Sequence, residues 1–172
     1  MPVRELNFTD LQRPGCLESL IDLGSYVHRR SAYKHLKFDR QTLRDEISKA
    51  IMDEDSLAIV VERDERLVGG LLAYLETPYF SKELQSNDQI VFIDPRYSNT
   101  LDGPRLISRY VKWAKSKNAS HIYFCHSFGW ADRDSQEANQ KMGKYLMRHH
   151  GFKEMGMLYR IEKEVTSDGT MR

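Results

Sequence analysis

The sequence predicts a single α/β domain in which a mixed sheet carries helices on both faces. Three observations lead there. Apolar residues recur at helical spacing in some segments and as short continuous or alternating runs in others. The segments follow the order strand, helix, helix, three strands, helix, strand, helix, strand, so strands alternate with helices only in the second half. A chain of 172 residues, 40% hydrophobic and 30% charged, suits one domain with its own core.

Each element has its own warrant. Val3 to Phe8 reads as a first strand. Asp10 to Pro14 opens a helix in which Leu17, Leu20, Ile21, Gly24 and Val27 keep helical spacing to about Arg30. The stretch "HRRSAYKHLKFD" has no clean period and reads as a loop. Asp39 can cap a second helix, striped by Leu43, Ile47, Ala50 and Ile51. Leu57 to Val61 is a buried-type strand, "RDER" a tight connection, and Leu67 to Leu75 the hairpin partner. Gly69 and Gly70 inside that strand mark a bulge or a close backbone approach. Pro78 keeps Glu76 to Asn87 irregular, and Gln89 to Ile93 resumes as a strand.

Pro104 to Lys117 is amphipathic, with Leu106, Tyr110, Trp113 and Ala114 on one face and Asn118 able to end it. His121 to His126 is a strand, Phe128 to Asp134 a loop, and Ser135 to His150 a helix ended by Gly151. Tyr159 to Glu164 is the last strand. Residues 1–164 form the domain and 165–172 a flexible tail.

Composition narrows the function classes. The formal net charge of +1 does not ask for a nucleic-acid partner. The two cysteines, Cys16 and Cys125, form no CxxC pair, so neither a zinc site nor a disulfide framework is expected. No apolar signal core opens the chain, and Leu67 to Leu75, its longest uncharged apolar run, is too short to span a bilayer. These features predict a cytoplasmic protein with no membrane partner. Met142, Met147, Met155 and Met157 read as core filler.

The informative stretch is "IDPRYSNTLDGPRLISRYVKWA". A strand runs into Asp-Pro, then a polar loop, then a helix start whose free N–H groups favour anions. Arg105, Arg109 and Lys112 follow on one face of that helix. The plain alternative is a solvated basic face, with Asp102 as an ordinary N-cap before Gly103-Pro104.

With the hairpin "LAIVVERDERLVGGLLAYL", the unit "IVFIDPRYSNTLDGPRLISRYVKWAKSKNAS" and the ending "NQKMGKYLMRHHGFKEMGMLYRIEK", the chain resembles the GNAT N-acetyltransferase superfamily from about Val3 to Glu164. "HRRSAYKHLKFD" followed by "TPYF" resembles a subgroup of small members often carried by phage genomes, which would place the protein in a host cytoplasm. The resemblance implies a mostly antiparallel sheet with one splayed pair of strands, acetyl-CoA as cofactor, and a primary amine of a small molecule, a protein lysine or an N-terminus as acceptor. Transfer would be direct attack in a ternary complex. Val91, Phe92 and Ile93 match the strand whose backbone meets the thioester arm. Ser98, Asn99, Thr100, Leu101, Asp102 and Gly103 match the pyrophosphate loop, and Asn139 a cofactor-contacting asparagine. The family pattern is Arg/Gln-x-x-Gly-x-Gly/Ala. Here Ser98 replaces the first residue and Leu101 the first glycine, Gly103 fits, and Arg105 can supply the missing charge.

Such chemistry needs a base for the ammonium, whose pKa is about 10, a donor for the oxyanion, and modest help for a thiolate of pKa about 8.5. Asp88, just before the central strand, is the candidate base, with a structural strand-start aspartate as the alternative; Glu76 and His126 are further candidates. A backbone N–H near Ile93 is the candidate oxyanion donor. The family's acid is a tyrosine four residues before Gly-Phe, where this chain has Met147; Tyr145 and Tyr159 are candidates instead, although a tyrosine in either place is more often core. His28, Ser31, Tyr33 and Phe38 in one loop and Trp130, beside Asp132, Asp134 and Glu137, in another would face the acceptor. No metal site is expected, and a homodimer is left open. Two rivals remain: a non-catalytic binding, structural or virion-assembly protein on the same fold, and a nucleic-acid-modifying transferase using the basic helix faces.

Overall fold

The computed structural model describes residues 3–31, 33–97, 100–125 and 133–156, with side chains in the last segment from 140 onward. The strands are β1 (Val3–Glu5), β2 (Ser56–Arg63), β3 (Arg66–Glu76), β4 (Gln85–Ile93) and β5 (His121–Tyr123). The helices are α1 (Phe8–Gln12), α2 (Cys16–His28), α3 (Arg40–Met52), α4 (Asp102–Ser116) and α5 (Arg133–His150). The sheet runs β1-β2-β3-β4-β5, antiparallel except for the parallel pair β4–β5. This is the mixed, mostly antiparallel architecture that the sequence predicts.

Both faces of the sheet are covered, so β2 reads as an unbroken apolar run. Ala58 and Val60 pack with Leu20, Ile21, Ile47, Leu72 and Phe92 on the α2–α3 side. Leu57, Ile59 and Val61 pack with Leu71, Leu106, Ile107, Tyr110 and Ala114 on the α4 side.

Several boundaries move, each for a local reason. The first strand stops at Glu5 because Asn7 and Asp10 form a reciprocal cap: Asn7 Oδ1 accepts the Thr9 N–H at 2.9 Å, and Asp10 Oδ2 accepts the Asn7 N–H at 3.0 Å. Phe8 therefore starts α1. Gly15, at φ +75°, breaks the expected single helix and begins α2. Asp39 caps α3 as read, accepting the Thr42 N–H at 2.8 Å. Asp64 and Glu65, at φ 48° and 62°, make the two-residue turn of the β2–β3 hairpin. Gly69 shows the close approach expected of it: a Cβ there would stand 2.8 Å from Ile93 Cδ1 and 2.9 Å from the Phe92 carbonyl oxygen.

Three expectations are corrected. β4 begins at Gln85, and Asp88 lies inside it, opposite Ala73, with Gln89 bulged out before Ile90 pairs with Leu72. The polar run Gln85–Gln89 hid this half of the strand, because its side chains are satisfied by bonds rather than by apolar packing. Asp102 is not the cap of α4; Leu101 holds that position, and Asp102 lies in the first turn. Met147 and Met155 are not core filler, being 48% and 79% exposed, whereas Met142 packs against the α4-side core. Met157, the last strand and the tail lie outside the described residues. Among the described residues no helix is long and apolar enough to cross a membrane.

Candidate active site

The site begins where β4 and β5 part. Gln85, Ser86 and Asn87 pair with His121, Ile122 and Tyr123, and there the parallel ladder stops. β4 continues to Ile93 with β3 on one side. Among the described residues nothing pairs with its other edge from Asp88 onward, which leaves an open fork. The direction of the free edge follows from the register. Asp94 N–H donates to the Val68 carbonyl at 2.8 Å, so antiparallel alternation turns the N–H groups of Val91 and Ile93 away from β3, into the fork.

Asp88 stands at the closed end of the fork. Its Oδ1 accepts the backbone N–H of Cys125 at 2.6 Å. Burial pushes its carboxyl up to about 6, against the stabilising N–H of Cys125. Such a group is ionised near neutral pH yet basic enough to accept a proton. Two tyrosines flank it. Tyr110 Oη accepts from Ser86 Oγ at 3.0 Å and donates to the Tyr123 carbonyl at 2.7 Å. Tyr74 on β3 has its phenol raised by burial, by Glu76 and by Asp88.

The open end of the fork leads to α4. Past Ile93, Arg96 grips Asp94, and Thr100 Oγ1 donates to the Tyr97 carbonyl at 2.7 Å. Asp102 is fully buried. Arg63 donates to both its oxygens, at 2.9 and 2.7 Å, and Arg105 to Oδ1 at 3.3 Å. The Arg63 guanidinium holds the Asp102 carboxyl below the usual carboxylate range. Two guanidinium groups over one carboxylate leave a net positive charge at the start of α4. Gly103 is open: among the described residues, a Cβ there meets nothing within 4 Å. Leu101 is 64% exposed, so its side chain points outward. An open backbone, a positive lip and a free strand edge are a chemical fit to a phosphate-bearing thioester cofactor. Of the basic face expected on α4, Arg109 is engaged by Glu5 at 2.5 Å.

The remaining candidates are placed as follows. Tyr145 packs its ring against His149 and His150, donates to the Pro104 carbonyl at 3.4 Å, and lies 3.3 Å from His150 Nε2. It therefore sits at the first turn of α4, at the open end, while Asp88 lies at the closed end. Ser31 is buried and builds its loop, donating to the His28 carbonyl at 2.9 Å and accepting the Tyr33 N–H at 3.1 Å. Phe38 packs on the α2–α3 core with its ring 5.3 Å from that of His28, and Tyr33 is exposed. Ser98, Asn99, His126, Trp130, Asp132 and Tyr159 lie outside the described residues, as do the side chains of Asp134, Glu137 and Asn139. Sequence reasoning missed Arg63, placed in the turn "RDER", because its partner Asp102 is 39 positions away. It also read Tyr110 as apolar stripe alone; a buried tyrosine that needs partners was the available signal.

Solved structures share this fold. An aminoglycoside acetyltransferase from an uncultured soil metagenomic sample, in complex with sisomicin, has a TM-score of 0.63 at 17% identity over 94% of this chain and 95% of its own. AAC(6')-Iy, in complex with a CoA-S-monomethyl-acetylneamine bisubstrate analogue, has a TM-score of 0.62 at 16% identity over 94% and 97%. A GNAT family acetyltransferase of Staphylococcus aureus has a TM-score of 0.59 at 12% identity over 92% and 97%. No protein-family model and no curated protein matches the sequence. The chain has the GNAT acetyltransferase fold. At such identities the likeness establishes the fold, and chemistry must be argued from the site.

Proposed function

We propose that the protein is an acetyl-CoA-dependent N-acetyltransferase acting on a primary amine. The carrying observation is the fork between β4 and β5 with the half-buried, basic Asp88 at its closed end. The cofactor, when bound, supplies an activated acetyl thioester. Val91 and Ile93 offer their N–H groups to its amide arm and to the oxyanion that develops during transfer. Gly103, Arg63 and Arg105 receive its phosphates. Asp88 accepts the ammonium proton, directly or through a water, so that the amine nitrogen can attack the acetyl carbon. Tyr159 is the candidate to protonate the thiolate that would leave; Tyr145, at the phosphate end of the fork, lies away from Asp88. One neighbour is an aminoglycoside acetyltransferase, which supports an amine of a small molecule as acceptor, and a protein amine remains the alternative.

One observation favours a second reading, a non-catalytic binding or structural protein on the same fold. Met147 is 48% exposed where the family pattern expects a phenol, so that position offers no proton donor. Acetyl transfer separates the readings. With acetyl-CoA and a panel of polyamines, aminoglycosides and lysine peptides, release of the free thiol that disappears in Asp88→Asn supports the enzyme. No release above the uncatalysed rate with any amine supports the binding protein.

A further inference from the structure

Tyr110 lies on α4 with no exposed surface. The apolar stripe of α4 needs only a ring there, and phenylalanine would fill nearly the same volume. A buried hydroxyl left without partners is destabilising, and this one has two. Ser86, which donates to it, is on β4; Tyr123, whose carbonyl it bonds, is the last residue of β5. One oxygen thus joins the two strands on the last rungs before they separate. Two residues further along each strand, Asp88 takes the N–H of Cys125.

Among the described residues, the groups that face Asp88 are Tyr110 from α4, Tyr74 from β3 and the Cys125 thiol beyond β5. None of them carries a positive charge. The Cys125 N–H and the residue's own N–H are what favour the carboxylate against burial. The path of the chain after Tyr123 therefore governs the ionisation of Asp88.

We propose that Tyr110 is a positioning residue whose hydroxyl pins the end of β5 to β4 and thereby holds the Cys125 N–H against Asp88. Its consequence for turnover rests on the acetyltransferase reading; the pin itself does not.

The test is NMR of the free protein. In the unaltered chain the Tyr110 hydroxyl proton should appear as a resolved, slowly exchanging resonance, and the Cys125 amide shift should follow the Asp88 titration. In Tyr110→Phe that pH-dependent shift should fall to less than half, with amide exchange at Cys125 at least tenfold faster. Ser86→Ala removes the β4 partner of the hydroxyl and leaves only its bond to Tyr123, so the pin between the strands is cut and the Cys125 titration should fall here as well. A Tyr110→Phe protein with the full Cys125 titration overturns the proposal. So does an unaltered protein without the slow hydroxyl resonance, or a Ser86→Ala protein that keeps the full titration; these two readings decide the matter if Tyr110→Phe does not fold. In turnover, Tyr110→Phe should lower kcat at least tenfold at an unchanged KM for acetyl-CoA, and an unchanged kcat counts against the pin. A wild type without turnover would contradict the acetyltransferase reading and leave the NMR result standing.

Discussion

Arg63 and Asp102 join the β2–β3 hairpin to the first turn of α4 by two hydrogen bonds, of 2.7 and 2.9 Å, on a carboxylate with no exposed surface. Removing the arginine leaves that charge buried with Arg105, 3.3 Å away, as its one remaining guanidinium among the described residues. Arg63→Ala should therefore lower Tm by roughly 5 °C or more. The folded carboxyl of Asp102 is depressed below its unfolded value, so the stability it adds is present above the unfolded pKa of about 4 and is lost as pH falls through the folded value. The acid limb of the stability curve should be shallower in the variant, as thermal melts from pH 2 to 7 would show.

Asp88 titrates in the opposite sense. Its folded pKa, about 6, exceeds the unfolded value of about 4, so the native state binds the extra proton between them and stability falls as pH rises through that window. Asp88→Asn should be more stable than wild type at pH 7 by about 1–2 kcal/mol, measured by urea unfolding. The same substitution should reduce kcat by about 10²–10⁴. In wild type, kcat/KM should rise with pH through an apparent pKa of about 6. A flat profile from pH 5 to 7.5 would remove Asp88 from the mechanism.

Gly103 separates folding from cofactor binding. A Cβ there meets none of the described residues within 4 Å, so Gly103→Ala should fold with stability equal to wild type or higher by up to about 1 kcal/mol. Gly103→Trp should also fold, with Kd for acetyl-CoA raised at least tenfold. Calorimetry with each variant checks both statements.

Gly69 has no such room. A Cβ would press on Ile93 Cδ1 at 2.8 Å and on the Phe92 carbonyl at 2.9 Å. Gly69→Ala should cost about 1–3 kcal/mol of stability. Because Phe92 and Ile93 flank the fork, it should weaken acetyl-CoA binding as well.

Much of this was legible in the sequence, and the reasons differ by residue. The apolar periods of β2, β3 and α4 reflect burial on known faces, and Asp39 announces α3 because a cap acts locally. Gly69 could be read because a glycine inside an apolar strand has few other uses. Asp88 was picked out as a candidate while its strand was misplaced by a few residues, since Ser86 and Asp88 owe their places to Tyr110 and Cys125 rather than to apolar packing. Arg63 was invisible as a site residue. Its role arises only when the fold closes a 39-residue separation.

A thermal-shift titration with acetyl-CoA tests the central claim most directly. Binding to the folded state alone at 100 times Kd adds about 2.7 kcal/mol, a rise in Tm of roughly 5–10 °C for a chain of this size. The account predicts a saturable rise of that order in wild type and in Gly103→Ala, lost in Gly103→Trp. No shift of wild type at millimolar acetyl-CoA would contradict it.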